Sequence, residues 1–259
     1  MTSIPLDIPA DGSEVRRLRD VLRRDGPAAL TAVAATLIVE LGALALALTA
    51  GAEWREATLL VLGVSVVWVC LACPALAAGG KGEMSAALRA GIVADASLVA
   101  LVVLWLAGPH VTFGSVVKVY CTLAVLALFS IAAVRCAASP AGRAAVAVAV
   151  SLLLMMALSA PLWTGGLLSL DAASGAAGGW VVRVSPAYSI ASSVPRAGFI
   201  WHEAPVMYSI TWVGDLVPAP PVEWYTASIL FGGSALVLSV VAFIRIKRRR
   251  ARGRRLPPF

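Results

Sequence analysis

The sequence predicts an all-α polytopic membrane protein with six transmembrane helices. Three observations carry that prediction. First, 60 % of the 259 residues are hydrophobic and 14 % are charged, with a mean hydropathy of +0.89, whereas a soluble domain is about half apolar and a quarter charged. Second, the apolar residues gather into six runs, each close to the ~20 residues a helix needs to cross ~30 Å of hydrocarbon. The runs cover about 28–50, 57–78, 87–107, 113–137, 143–166 and 225–244. Backbone groups cannot go unpaired in lipid, so these runs are helices. Third, the basic residues favour one side. Six spans put both ends of the chain on the same side. Of the 21 Lys and Arg residues, only Arg55, Lys118, Arg183 and Arg196 fall on the other side, leaving 17 with the ends. That bias puts both ends in the cytoplasm, and the expected location is the cell inner (plasma) membrane.

Taken in order, residues 1–12 are polar and contain proline, a composition that suits disorder. Ser13 is a helix N-cap for the stretch SEVRRLRDVLRRDGP. There Val15, Leu18, Val21 and Leu22 recur at helical spacing among Arg16, Arg17, Arg19, Arg23 and Arg24. The pattern predicts a short basic amphipathic helix lying in the membrane interface. A solvated leader that only sets topology is the alternative. Residues 1–27 are thus read as a cytoplasmic leader, 28–244 as the transmembrane domain and 245–259 as a basic cytoplasmic tail. The first run ends in TAGA, which resembles a signal-peptide cleavage site, but it is too long for a signal sequence and reads as an uncleaved anchor.

The outer loop 167–224, between helices five and six, is the one long segment that is not a clean span. It carries Trp180, Tyr188, Trp201, His202, Tyr208 and Trp212, with Trp224 at its end. Aromatic side chains with a polar handle settle at the membrane–water boundary. These six residues are the candidate outer-loop interface, and the loop either lies on the membrane surface or dips into it as a re-entrant segment. Pro186 is a plausible helix start there, followed by apolar residues at helical spacing.

Two acids fall inside spans, Glu40 in the first and Asp95 in the third. An ionisable residue at that depth costs a few kcal/mol and usually faces a bundle interior or a water-filled path. Both are candidates for a translocation path or for a helix–helix contact, and a proton shared between them is one arrangement the sequence allows. Cys70-x-x-Cys73 has redox or metal spacing, yet it lies in mid-span with no second pair and no nearby histidine, so small buried hydrophobes are the expected reading. His110 and His202 lack the convergent ligands of a zinc site. There is no phosphate-binding G-x-x-x-x-G-K-[ST], no HExxH and no G-x-S-x-G. The chain is therefore expected to hold no cofactor, to have no ATPase activity of its own and to be no enzyme.

The layout resembles a known family. The basic helix before the first span, six spans, the long outer segment before the last one and a basic end are similar to the membrane (permease) subunit of ABC transporters of the type-2 exporter class. So are VVRVSPAYSIASSV, APVMYSITWVGD and PAPPVEWYTASIL, with Ser185-Pro186 standing where Asn-Pro is common. The resemblance implies a permease half that forms a homo- or heterodimer and works with a separate P-loop ATPase subunit. It further implies that Arg16–Arg24 and a short cytoplasmic helix over Gly80–Arg89 touch that ATPase, making Lys81, Glu83 and Arg89 candidate contacts. GGKGEMSAALRAG is shorter than the family's usual stretch there. The cargo is unreadable, although small, weakly charged spans suit a hydrophobic or lipid-linked one. The alternatives are a non-transport scaffold or assembly factor that binds a partner through the aromatic outer loop, and an intramembrane enzyme using Glu40, Asp95 or His202. Neither alternative nor the leading one calls for nucleic acid.

Overall fold

The computed structural model describes residues 13–80, 83–109, 111–168, 184–194 and 223–253. Their regular structure is helical throughout. In chain order the helices are α1 (Ser13–Thr49), α2 (Trp54–Gly79), α3 (Glu83–Ala107), α4 (Phe113–Arg135), α5 (Pro140–Leu168), the short α6 (Pro186–Ala191) and α7 (Tyr225–Gly253). Six of them contain windows long and apolar enough to cross a membrane, and the spans lie where the hydropathy runs predict.

Connections of three to five residues make α1 to α5 successive antiparallel neighbours. The Arg245 guanidinium of α7 donates to Cys136 O at the end of α4, and Thr122 of α4 meets Ser228 of α7. Helix α7 therefore runs parallel to α4 and ends on the side where α1 begins. That side is called the terminal side below, and the opposite one the far side.

Helices α2 and α4 are central and α5 and α7 peripheral. Within their apolar windows 61 % of α4 is buried against 17 % of α5. Lipid is as apolar as leucine, so exclusion from water does not drive these helices together. Close van der Waals contact does, and the core is correspondingly rich in small side chains. Ala57, Ala90 and Ala227 are fully buried, as are Cys70 and Cys73. Phe129 of α4 and Phe231 of α7 fill the wider gap edge-on, with centroids 5.4 Å apart.

The turns follow local chemistry. Gly51 adopts a positive φ of 84° in the α1–α2 turn. Glu53 and Glu56 form a capping box at the start of α2, and Thr112 Oγ1 accepts from Ser115 N at the start of α4. At the α2–α3 turn a Cβ on Gly80 would stand 2.6 Å from Ala86 N, against backbone. Gly80→Ala is therefore expected to destabilise the fold by about 1–3 kcal/mol, read as a lower thermal unfolding midpoint of the purified protein.

The beginning of the chain differs from the sequence expectation. Ser13–Thr49 is one continuous helix of 37 residues, with no break between an interfacial leader and the first span. Asp-Gly-Pro at 25–27 reads locally as a stop. The helix carries through because Asp25 and Ala29, on either side of Pro27, are both buried in the bundle. A second difference is at the α2–α3 connection. Among the described residues no separate helix stands there, and Glu83–Arg89 are the first turns of α3 itself.

The short helix α6 packs among α2, α4, α5 and α7. Ile190 and Val194 join the main core, and Ser185 Oγ donates to Leu158 O of α5. This part of the segment between α5 and α7 is thus seated in the bundle rather than laid over it.

Candidate functional site

Among the described residues, a polar cluster built on Glu40 lies at mid-depth inside the bundle. Glu40 precedes the end of α1 at Thr49 by nine residues, Ser65 follows the start of α2 at Trp54 by eleven, and Ser97 precedes the end of α3 at Ala107 by ten. At 1.5 Å per residue all three lie about 14–17 Å from the far-side helix ends, in the middle of a ~30 Å core. All three are fully buried. Glu40 Oε1 accepts from Ser97 Oγ at 2.7 Å. Ser65 Oγ lies beside the carboxyl. Neither Glu40 Oε2 nor Ser65 Oγ has a hydrogen-bond partner among the described residues.

Three helices position the cluster, and each face is dictated by sequence. Thr36 and Glu40 stand one turn apart on α1, and the row continues through Leu44 to the core. Ser65 and Trp68 share a face of α2 in the same way. Trp68 Nε1 donates to Thr36 Oγ1 at 2.9 Å, and Thr36 Oγ1 donates in turn to Ala32 O. Ser97 Oγ is also within 3.1 Å of Val93 O, one turn back along its own helix. Among the described residues no cation faces the carboxyl, and the groups against it are the two serine hydroxyls. As a carboxylate Glu40 offers only acceptors, whereas as a neutral acid it becomes a donor with Ser65 Oγ as the acceptor beside it. The site can therefore hold and release a proton with a local change of hydrogen bonding.

Behind Trp68 lies an apolar groove of about 410 Å³, lined by Val39, Leu60, Gly63, Val64, Trp68 and Leu158 among others. Two of the lining residues adjoin the polar cluster: Trp68, which bonds Thr36, and Val39, the neighbour of Glu40 in sequence. The groove is on the side of the bundle between α1, α2 and α5.

Asp95 lies elsewhere. It is two residues before Ser97, which turns it about 200° around α3, and it is exposed. Its Oδ1 accepts from Tyr120 Oη of α4 at 2.6 Å. The two membrane acids are thus not brought together, and no proton is shared between them.

A third polar group closes the terminal side. Arg89 Nε donates to Asp25 Oδ1 at 3.1 Å, and Arg89 Nη2 makes an ion pair with the same oxygen. Asp25 is 2 % exposed, and the Ser85 hydroxyl lies beside it. The last carbonyls of a helix have no partner within it. Here Arg89 Nη1 donates to Gly79 O and Arg143 Nη1 to Gly80 O at 2.6 Å, capping α2. Arg89 is therefore a clamp between α1, α2 and α3 rather than a free surface charge.

No protein-family model, curated protein or solved structure matches this chain.

The remaining candidates divide simply. Glu83 begins α3 and Tyr188 lies in α6, but their side chains are outside the described residues. So are Lys81, Trp180, Trp201, His202, Tyr208 and Trp212 in full. Cys70 and Cys73 are buried, free thiols, and Cys73 Sγ donates to Ala90 O at 3.3 Å. Among the described residues no group of His, Cys, Asp and Glu is placed to hold a metal ion. Sequence reasoning singled out Glu40 and Asp95 but not Ser65, Ser97, Asp25 or Tyr120. Serine and tyrosine are common in spans, and nothing local distinguishes those that face a carboxyl. Asp25 lies in the leader, and nothing local marks it as a partner of Arg89.

Proposed function

We propose that this chain is the membrane-spanning subunit of an ABC-type transporter, half of a dimeric permease that draws energy from a separate P-loop ATPase. The observation that carries the transport reading is the fully buried Glu40 cluster at mid-membrane, next to an apolar groove at the side of the bundle. Ionisable groups at that depth mark substrate, ion or proton paths. An apolar groove suits a hydrophobic or lipid-linked cargo. The ABC assignment is supported by the layout of leader, six spans, long penultimate segment and basic end. ATP binding would close the ATPases and rock the two permease halves about their contact.

In this reading both ends are cytoplasmic and the membrane is the plasma membrane, as the distribution of basic residues favours. The ATPase contact falls on the terminal side. Arg89, with Asp25 and Gly79, would set the shape of that surface, and Arg16–Arg24 would supply its charge.

The test is a gentle-detergent pull-down of the tagged chain with its partners identified by mass. A P-loop ATPase in near-stoichiometric amount is the expected result. Repeated recovery without one sinks the ABC reading, and recovery of a protein bound to the loop between helices five and six instead supports the scaffold.

A further inference from the structure

We propose that the Glu40 cluster binds a proton exchanged with the terminal side alone, passed by the Thr36 hydroxyl along the seam between α1 and α3. The use of that proton rests on the transport reading; its presence and its side of entry do not.

The site is built for a proton. Glu40 Oε2 and Ser65 Oγ are fully buried and have no hydrogen-bond partner among the described residues, while Oε1 already takes Ser97 Oγ. The helices packed against α1 are chiefly α2 and α3, and what they turn to the carboxyl is the two serines. Among the described residues, the next charged side chains along these buried faces are Asp25 and Arg89, which pair with each other. A carboxylate there has no counter-charge, and a low-dielectric interior accepts the neutral acid instead. A proton on Oε2 donates to Ser65 Oγ, so one bond gives both orphaned atoms a partner.

The side of entry follows from what continues the three faces. Toward the far side they carry Leu44 on α1, Leu62 on α2 and Leu101 on α3, all buried in the core. These stand about 7–12 Å below the far-side helix ends, between those ends and the cluster, and offer no group to carry a proton. Toward the terminal side α1 continues through Thr36, Ala32 and Ala29 to Asp25, all buried. The facing row of α3 runs from Ser97 through Val93 and Ala90 to Arg89. Most of these side chains are small, and polar contacts recur along the seam. Thr36 Oγ1 donates to Ala32 O, Ser97 Oγ lies 3.1 Å from Val93 O, and Cys73 Sγ donates to Ala90 O.

The step is a proton transfer with no change of redox state. Thr36 Oγ1 accepts from Trp68 Nε1 and donates to Ala32 O, which leaves one lone pair free. Thr36 is one turn from Glu40, about 5–6 Å between Cβ atoms, a gap that one water bridges. The Glu40 O–H bond breaks, the bridging water carries the proton to that lone pair, and Thr36 passes its own proton to water on the terminal side. Ser97 Oγ then holds the carboxylate, and reloading is the reverse.

The test is infrared spectroscopy of the full chain in lipid vesicles, which reads the C=O stretch of neutral carboxyls and its shift after a switch into heavy water. At neutral pH a band that Glu40→Gln removes is expected. Thr36→Val should slow the shift of that band about tenfold or more, the effect of one hydrogen bond lost from the barrier, and Thr36→Ser should restore the rate. Thr58 is the matched far-side hydroxyl: it is buried two turns from Ser65 on the same face of α2 and donates to Trp54 O. Thr58→Val should leave the rate unchanged. The proposal is overturned if Glu40→Gln removes no such band, if Thr36→Val exchanges as fast as the parent, or if Thr58→Val slows exchange as much as Thr36→Val does. Thermal unfolding shows that each variant is folded, and Thr36→Ala replaces Thr36→Val if the latter is not. No ATPase takes part, so a pull-down without one removes the permease assignment and leaves the proton site standing. An ATPase recovered with a chain lacking the Glu40 band has the opposite meaning.

Discussion

Replacing Arg89 by alanine is expected to destabilise the folded chain by about 2–3 kcal/mol, the usual effect of removing a charged hydrogen-bond partner from a buried group. Asp25 is 2 % exposed, and Arg89 Nε and Nη2 are its charge partners. Without them a carboxylate stays buried at the corner where α1, α2 and α3 meet. The same change removes the cap on Gly79 O. Most of the loss belongs to the orphaned charge, so the double replacement Asp25→Ala with Arg89→Ala should unfold later than Arg89→Ala alone. Arg89→Lys should recover only part of the stability, because an ammonium cannot reproduce the fork that reaches Asp25 and Gly79 together. Thermal unfolding of the four proteins in one detergent decides the matter. A midpoint for Arg89→Ala within a degree of the parent would mean the pair is open to water and does not hold α1 to α3.

That clamp also shows where sequence reading stops. The six spans were legible because hydropathy is local: Leu, Val and Ala in runs of about twenty settle the outcome wherever the neighbours lie. The caps at Thr112 and Glu53 are made within one turn, yet hydropathy alone does not single them out. The leader was not legible. Asp25-Gly26-Pro27 has the local chemistry of a stop, and the group that overrides it, Arg89, is 64 residues away in sequence. The functional candidates follow the same rule. Glu40 and Asp95 stood out because carboxyls are rare in spans. Which one faces inward depends on how α1, α2 and α3 are rotated against each other, and the serines that meet Glu40 come from two other helices. Asp95 and Ser97, two residues apart, point to nearly opposite sides of α3. Both are in mid-span, and nothing in the sequence says which of the two faces inward.

The second large effect is expected at Glu40, and it separates a residue kept for packing from one kept for function. Glu40→Ala deletes a fully buried side chain between three helices and should cost about 2–5 kcal/mol through the cavity it leaves. Glu40→Gln keeps the volume and the acceptor for Ser97 Oγ, and its amide can donate to Ser65 Oγ, which has no partner among the described residues. Glu40→Met keeps the volume and removes the polar group. Volume-conserving changes of this kind cost less than about 1.5 kcal/mol, and replacing an incompletely paired buried polar group can even stabilise. Gln and Met variants should therefore unfold at or near the parent temperature. If they do, the carboxyl is not there for stability. On the transport function proposed above it would instead take part in the cycle, and both variants would then depress transport while folding normally. If instead Gln and Met unfold as early as Ala, the carboxylate itself holds α1, α2 and α3 together, and the cluster is a structural joint rather than a site.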